Sequence, residues 1–293
     1  HFLLVNLYGE PYTHCDPATS KAIPLKLNSD TEAVLTRNTV GEVYSSILSD
    51  LVEAEKYLNV DKWELGYNYR FTTLAVNALR SRVYLYMGDW AKSFEASEAV
   101  LSVNNQLVDM SSSTILPNEY NSSENILALE EVMNAQYVRA AKVATSLWKL
   151  YGTGDLRKSK YFKQVTASNI QVIKGGSNQY RCSFRVGEIY LNAAEAALMT
   201  GEAAIDVARE NLLTLMEKRY TANAYAAKEA AVNAMGRDEL LQEIYNERTR
   251  ELAFEGHRWF DLRRTTRPRL EKTFGGTSYV LEENDSRYTI RIP

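Results

Sequence analysis

Histidine is almost missing from this chain of 293 residues: there are three, His1, His14 and His257, each far from the others. Their scatter excludes HExxH-type metal sites and leaves no histidine spaced for a catalytic triad. Cysteine is scarcer still. Cys15 and Cys182 stand outside any CxxC or Cys/His cluster, so neither a zinc site nor a disulfide framework is expected, although one bridge between the two stays open. No GxSxG, P-loop or GxGxxG occurs, and Gly152-Thr153-Gly154-Asp155 is too short to cradle a phosphate and reads as a turn. Charge of one sign does not dominate either. The 34 Lys and Arg against 37 Asp and Glu leave a net charge of −3, which gives no reason to expect a nucleic acid or an anionic membrane surface as partner. No apolar run approaches the length of a membrane span. The short apolar opening, Phe2 to Leu7, follows no basic stretch, and Tyr12-Thr13-His14-Cys15 lacks the small residues of a lipoprotein cleavage site, so no export signal is expected within it. No cofactor, metal or catalytic residue is expected.

What is present is mainly helical pattern. A hydrophobic fraction of 45% and a charged fraction of 24% are those of an ordinary globular chain, long enough for one large domain or two smaller ones. The 19 tyrosines suit helix packing and wet binding surfaces alike. After an irregular opening punctuated by Pro11, Pro17 and Pro24, apolar residues from Thr39 to Leu58 (Val40, Val43, Tyr44, Ile47, Leu48, Leu51, Val52 and Tyr57) recur at three and four, with Glu42 in the first turn. A second helix is predicted over Thr72 to Met87, a stop at Gly88-Asp89, and a third helix from Trp90 to Val103. The arrangement recurs at Arg185 to Thr200, Gly201, and Ala203 to Lys218, and again at Glu239 to Glu255, Gly256, and His257 to Arg264. Three helix-Gly-helix units with small residues at the crossings read as tetratricopeptide-like repeats. The predicted architecture is thus one mainly α domain over 1–293. Its repeats span about 39–104, 184–220 and 237–265, an irregular insertion about 105–183, and a β-like tail about 277–293. Inside the insertion, Ile126 to Leu129 is strand-like, and Lys174-Gly175-Gly176-Ser177 is expected to close a hairpin between Ile170 to Ile173 and Tyr180 to Phe184.

Chemistry concentrates in Glu247 to Arg264, where Glu247, Glu251 and Glu255 share one helix face with Arg248, Arg250 and Arg258 in neighbouring turns. Two such carboxylates could in principle work as acid and base on a glycosidic bond. Carboxylates interleaved with arginines are held ionised, however, whereas a general acid needs a raised pKa. The segment is therefore expected to be a buried ion-pair network, so that Glu251→Ala or Arg258→Ala harms folding before binding. His257, beside Gly256, is expected to cap a helix. The ligand-binding candidates are Trp148 and Tyr151, three residues apart beside a Gly turn in the insertion, with Tyr137 as a weaker third. Trp63, near Gly66-Tyr67-Asn68-Tyr69-Arg70, reads as loop packing or a partner contact.

The Glu247 to Arg264 segment resembles the C-terminal signature of the SusD/RagB family, the surface nutrient-binding lipoproteins of Bacteroidetes. Phe184 to Ala196 (FRVGEIYLNAAEA) looks like the family's other strong motif, Phe2 to Tyr12 is similar to the segment after its first core helices, and Asp285 to Pro293 to its final β-segment. The resemblance implies a SusD-like, tetratricopeptide-like α scaffold with an irregular binding face and no enzymatic activity. It implies an outer-membrane, surface-exposed lipoprotein that caps a TonB-dependent SusC-like transporter and hands it oligosaccharides, or peptides in the RagB branch. It also implies that the lipoprotein signal, the anchoring cysteine and the first helices precede His1, so the lipid anchor is expected outside this chain.

Overall fold

The structure, a computed structural model, describes residues 1–129, 140–167, 169–174 and 183–292. It is mainly α-helical, as the periodicity requires, and the chain divides into two compact units.

The first unit comprises 1–57, 86–89 and the chain from 257 onward. Helix α1 spans Phe2–Tyr8, and α2, Val40–Glu55, begins with a capping box. Thr39 Oγ1 accepts from Glu42 N at 3.1 Å, and Glu42 Oε2 accepts from Thr39 N at 2.7 Å, which satisfies two of the amides a helix start leaves over. Val40, Val43, Tyr44 and Ile47 form its buried face. α1 is not among the helices expected from sequence, because its seven residues are too few to show a period. A long-range tie comes from Arg263, whose buried guanidinium donates to the backbone carbonyls of Asn6, Gly9 and Tyr288. Burial lowers this arginine to about 10. The unit also holds the β5–β6 hairpin, Leu270–Phe274 with Thr277–Leu281. The tail beyond it carries a 3-10 turn at Ser286–Tyr288 rather than further strand.

The second unit comprises 58–85 and 90–256. α3 (Thr73–Met87) leads to α4 (Trp90–Leu101), and α7 (Val186–Thr200) to α8 (Ile205–Glu217). Gly88 and Gly201 hold φ of 74° and 146° between them, conformations that glycine adopts without strain and that end each helix where the sequence places a break. α9 (Ala222–Ala234) follows, then α10 (Arg237–Glu251), and α11 (Arg258–Arg264) belongs to the first unit. α9 has no counterpart in the sequence expectation; only Val232 on it is buried, so it carries no apolar stripe to read. α7 is the central element, buried from Val186 to Leu198 except at Tyr190, and α4, α8 and α10 pack on it. Alanines on α7 and serines on its neighbours allow close approach. Ser81 and Ser97 hydroxyls lie 2.8 Å apart, Asn192 Nδ2 donates to Ser81 Oγ (3.0 Å), and Arg248 Nη1 donates to Asn192 Oδ1 (2.7 Å), so one polar chain crosses four helices.

Among the described residues the insertion contributes strand β1 (Asn125–Leu127), two short helices, α5 (Thr145–Leu150) and α6 (Arg157–Tyr161), and strands β2 (Phe162–Thr166) and β3 (Asn169–Val172). β3 pairs with β2, and β4 (Phe184–Arg185) pairs with β1. Of the run Tyr180 to Phe184, expected to form the second half of the 170–184 hairpin, only Ser183 and Phe184 are described. Residues 175–182, including Cys182, lie outside the described residues.

Candidate functional site

The second unit carries both a buried ionic network and an open aromatic pocket. The network surrounds Glu251, at the end of α10. Arg157 Nη1 donates to Glu251 Oε2 at 2.9 Å and to Glu247 Oε1 at 2.5 Å. Arg185 Nη1 donates to Glu251 Oε1 at 2.6 Å, and Arg219 Nε to Glu251 Oε2 at 2.9 Å. Glu124 accepts from Arg219 at 2.5 Å and from Arg185 at 3.2 Å, while Lys174 Nζ donates to Glu255 at 2.5 Å. All these side chains are buried. Of the three arginines singled out in the segment from sequence, Arg250 is a member, donating to Glu247 and Glu243. The cations on Glu251 come instead from the insertion, β4 and the end of α8, between 32 and 94 residues away along the chain. Arg258 lies in the first unit. His257 does occupy the N-cap of α11, but its side chain makes no capping hydrogen bond.

Burial alone would raise these carboxyls, and the cations overcome it. Arg157 and Arg250 hold Glu247 at about 2, Arg185 and Lys174 hold Glu255 at about 2, and Arg219, Arg185 and Arg157 hold Glu251 well below the carboxylate range. Carboxyls so held carry no proton to give a glycosidic oxygen at neutral pH. The network therefore locks α10 to the insertion and to α7.

Of the three predicted ligand residues, the structure places two. Trp148 is half-buried on α5, edge-on to Phe162 (ring centroids 6.1 Å apart), with Lys158 Nζ 4.6 Å from its ring centroid, and it lines a cleft of about 540 Å³ with Lys163 and Gln164. Tyr151 is a correction. It is 1% exposed, packs on Phe162, and donates its hydroxyl to the Arg250 carbonyl at 2.7 Å, so no ligand can stack on it. Burial raises its phenol, as expected for a core tyrosine. Tyr137 lies outside the described residues.

The second concave site is not among the sequence candidates. A loop over 58–72, ahead of α3, carries Trp63, Tyr67, Tyr69 and Phe71, with Gly66 at φ 100° making its turn. Asn68 pins the loop to the 118–128 segment: its carbonyl accepts from Ala128 N at 3.0 Å and its Nδ2 donates to the Tyr120 carbonyl at 2.5 Å. Trp63 Nε1 donates to the Phe71 carbonyl at 3.2 Å. The Arg70 guanidinium lies 4.5 Å from the Tyr67 ring centroid and 5.1 Å from that of Trp63. Trp63, Arg70, Asn68, Asn121 and Asn125 line a pocket of about 280 Å³. Flat aromatic faces beside a few fixed polar groups are what an oligosaccharide site requires. The density of aromatics around Gly66 is the available signal. Sequence alone reads Trp63 there as loop packing or a partner contact; in the structure Tyr67, Tyr69 and Phe71 are exposed.

The comparisons agree with this architecture. The model of the SusD family matches residues 81–289, and a second family model, described as starch-binding associating with outer membrane, matches residues 1–85. No curated protein gives a significant match. Among solved structures, a SusD superfamily protein of Bacteroides thetaiotaomicron is 24% identical, with a TM-score of 0.79 over 99% of this chain and 71% of that one. A SusD superfamily protein of Bacteroides fragilis is also 24% identical (TM-score 0.72, 100% of this chain and 70% of that one). A SusD-like carbohydrate binding protein of Bacteroides vulgatus is 19% identical (TM-score 0.73, 99% and 71%).

Proposed function

This chain belongs to the SusD family, and from that premise we propose that it is a non-catalytic glycan-capture protein of the outer cell surface, lipid-anchored, which passes oligosaccharides to a TonB-dependent SusC-like transporter. The single observation that carries the reading is the pocket where Trp63 and Arg70 face Asn68, Asn121 and Asn125. The family description, with its starch binding and outer-membrane association, supports the class of ligand and the location. The held ionisation of Glu247, Glu251 and Glu255 supports binding without hydrolysis.

Isothermal titration of the chain against a panel of oligosaccharides tests the reading. Binding by at least one glycan, weakened tenfold or more in Trp63→Ala with an unchanged melting temperature, is the expected result. Undiminished binding in that variant would move the site to the Trp148 cleft, and capture of peptides with no glycan would favour the peptide-binding branch. Co-purification with a SusC-like transporter tests the partnership.

A further inference from the structure

Among the described residues, charge in the Trp63 pocket is one-sided: its charged lining residues are Lys62 and Arg70, and no carboxylate lines it. The acids of the same loop are Asp61, which accepts from the Thr73 hydroxyl, and Glu64. Arg70 is exposed and rests among the Tyr67, Trp63 and Tyr69 rings, 4.5, 5.1 and 5.9 Å from their centroids. Among the described residues no hydrogen bond or ion pair engages its guanidinium. A guanidinium held by ring faces keeps its N–H fork free for a planar or tetrahedral oxyanion, which it binds through two parallel hydrogen bonds.

A second observation comes from the 118–128 segment that also lines the pocket. Asn125 is 8% exposed, and its Nδ2 donates to the Tyr120 carbonyl at 2.6 Å, which fixes the amide's orientation. Its Oδ1 has no hydrogen-bond partner among the described residues, and neither does that of Asn121. A buried acceptor left so is costly and calls for a donor, such as a sugar hydroxyl. A neutral sugar would serve the asparagines and leave the fork of Arg70 empty. A sugar bearing an oxyanion serves both.

We infer that the pocket takes a glycan carrying an anionic substituent, a carboxylate or a sulfate, seated against Arg70 and Lys62 with its hydroxyls on Asn121 and Asn125. The inference rests on the glycan-capture reading above and narrows it.

Two matched pairs of probes test it by isothermal titration: an oligogalacturonide with its carboxyl-reduced form, and a sulfated galactan oligosaccharide with its desulfated form. The charged member of at least one pair should bind at least tenfold more tightly, and which pair responds separates carboxylate from sulfate. That advantage should fall severalfold as salt rises from 50 to 500 mM. It should also collapse in Arg70→Gln, read as the ratio of charged to neutral affinity within that variant. Lys62→Gln should reduce it in part, and serves alone should Arg70→Gln lower the melting temperature. Neutral members binding as tightly as charged ones, or an advantage that survives both substitutions, would overturn the inference and leave glycan capture standing. Binding of no glycan at all would remove both.

Discussion

Glu251 accepts from three arginines at once, and each of those arginines is itself almost fully buried. A buried ion pair is weak evidence of net stability, because desolvation offsets much of the attraction, but removing one partner strands the rest. Glu251→Ala is therefore expected to cost on the order of 3–5 kcal/mol, read as a lower denaturant midpoint. A midpoint unchanged from the parent would sink the assignment. Arg258, expected from sequence to share this role, is exposed, so the same cost does not carry over to it. Tyr151 makes the complementary case. Its hydroxyl serves Arg250 within the core, so Tyr151→Phe should lose roughly 1 kcal/mol of stability and no ligand affinity. A loss of affinity at unchanged stability would restore it to the binding site.

At the scale of elements, α7 shows how a sequence rule can reverse its sign. Gly187 stands in its first turn, where Gly→Ala ordinarily helps a helix by about 0.5–1 kcal/mol. Here a Cβ would lie 2.5 Å from an Arg185 guanidinium nitrogen, 2.9 Å from Glu124 Oε2 and 3.0 Å from Glu251 Oε1. Those atoms are side-chain ends, but the network pins them. Gly187→Ala should thus destabilise by about 1–3 kcal/mol, checked by thermal melting; a stabilised variant would show the network to be loose. The helices themselves are legible because their periods, the Thr39-Glu42 cap and the glycines at 88 and 201 are local signals. The short α1 and the alanine-rich α9 are not, the first too short to show a period and the second without an apolar stripe. The network is legible as a class, from its charges on one helix face. Its members are not, since Arg157, Arg185 and Arg219 reach Glu251 only through the fold. The aromatic loop around Gly66 is visible in sequence, but whether its rings pack or face solvent depends on Asn68 being tied to Tyr120 and Ala128.

For the molecule as a whole, the network belongs to the second unit, and its charges set how stability answers to pH. Folding takes Glu247 and Glu255 from 4.5 to about 2. As pH falls the unfolded chain binds these protons first, so the stabilisation is complete above the unfolded value and is lost between about pH 5 and 2. Each carboxyl accounts for roughly 3 kcal/mol over that window, with Glu251 acting in the same direction. Lys174 moves oppositely in cause though not in slope. Burial lowers its ammonium to about 8, so between there and its ordinary value near 10.5 the unfolded chain again holds the extra proton, and stability rises with pH. The melting temperature should therefore drop steeply below pH 5 and gain slightly above pH 8. Lys174→Met should flatten the alkaline gain and shrink the acid limb by part of Glu255's share, while Glu247 and Glu251 keep theirs. A melting temperature level from pH 6 to 3 would mean that the carboxylates are already paired in the unfolded chain, and the network would then not distinguish the two states.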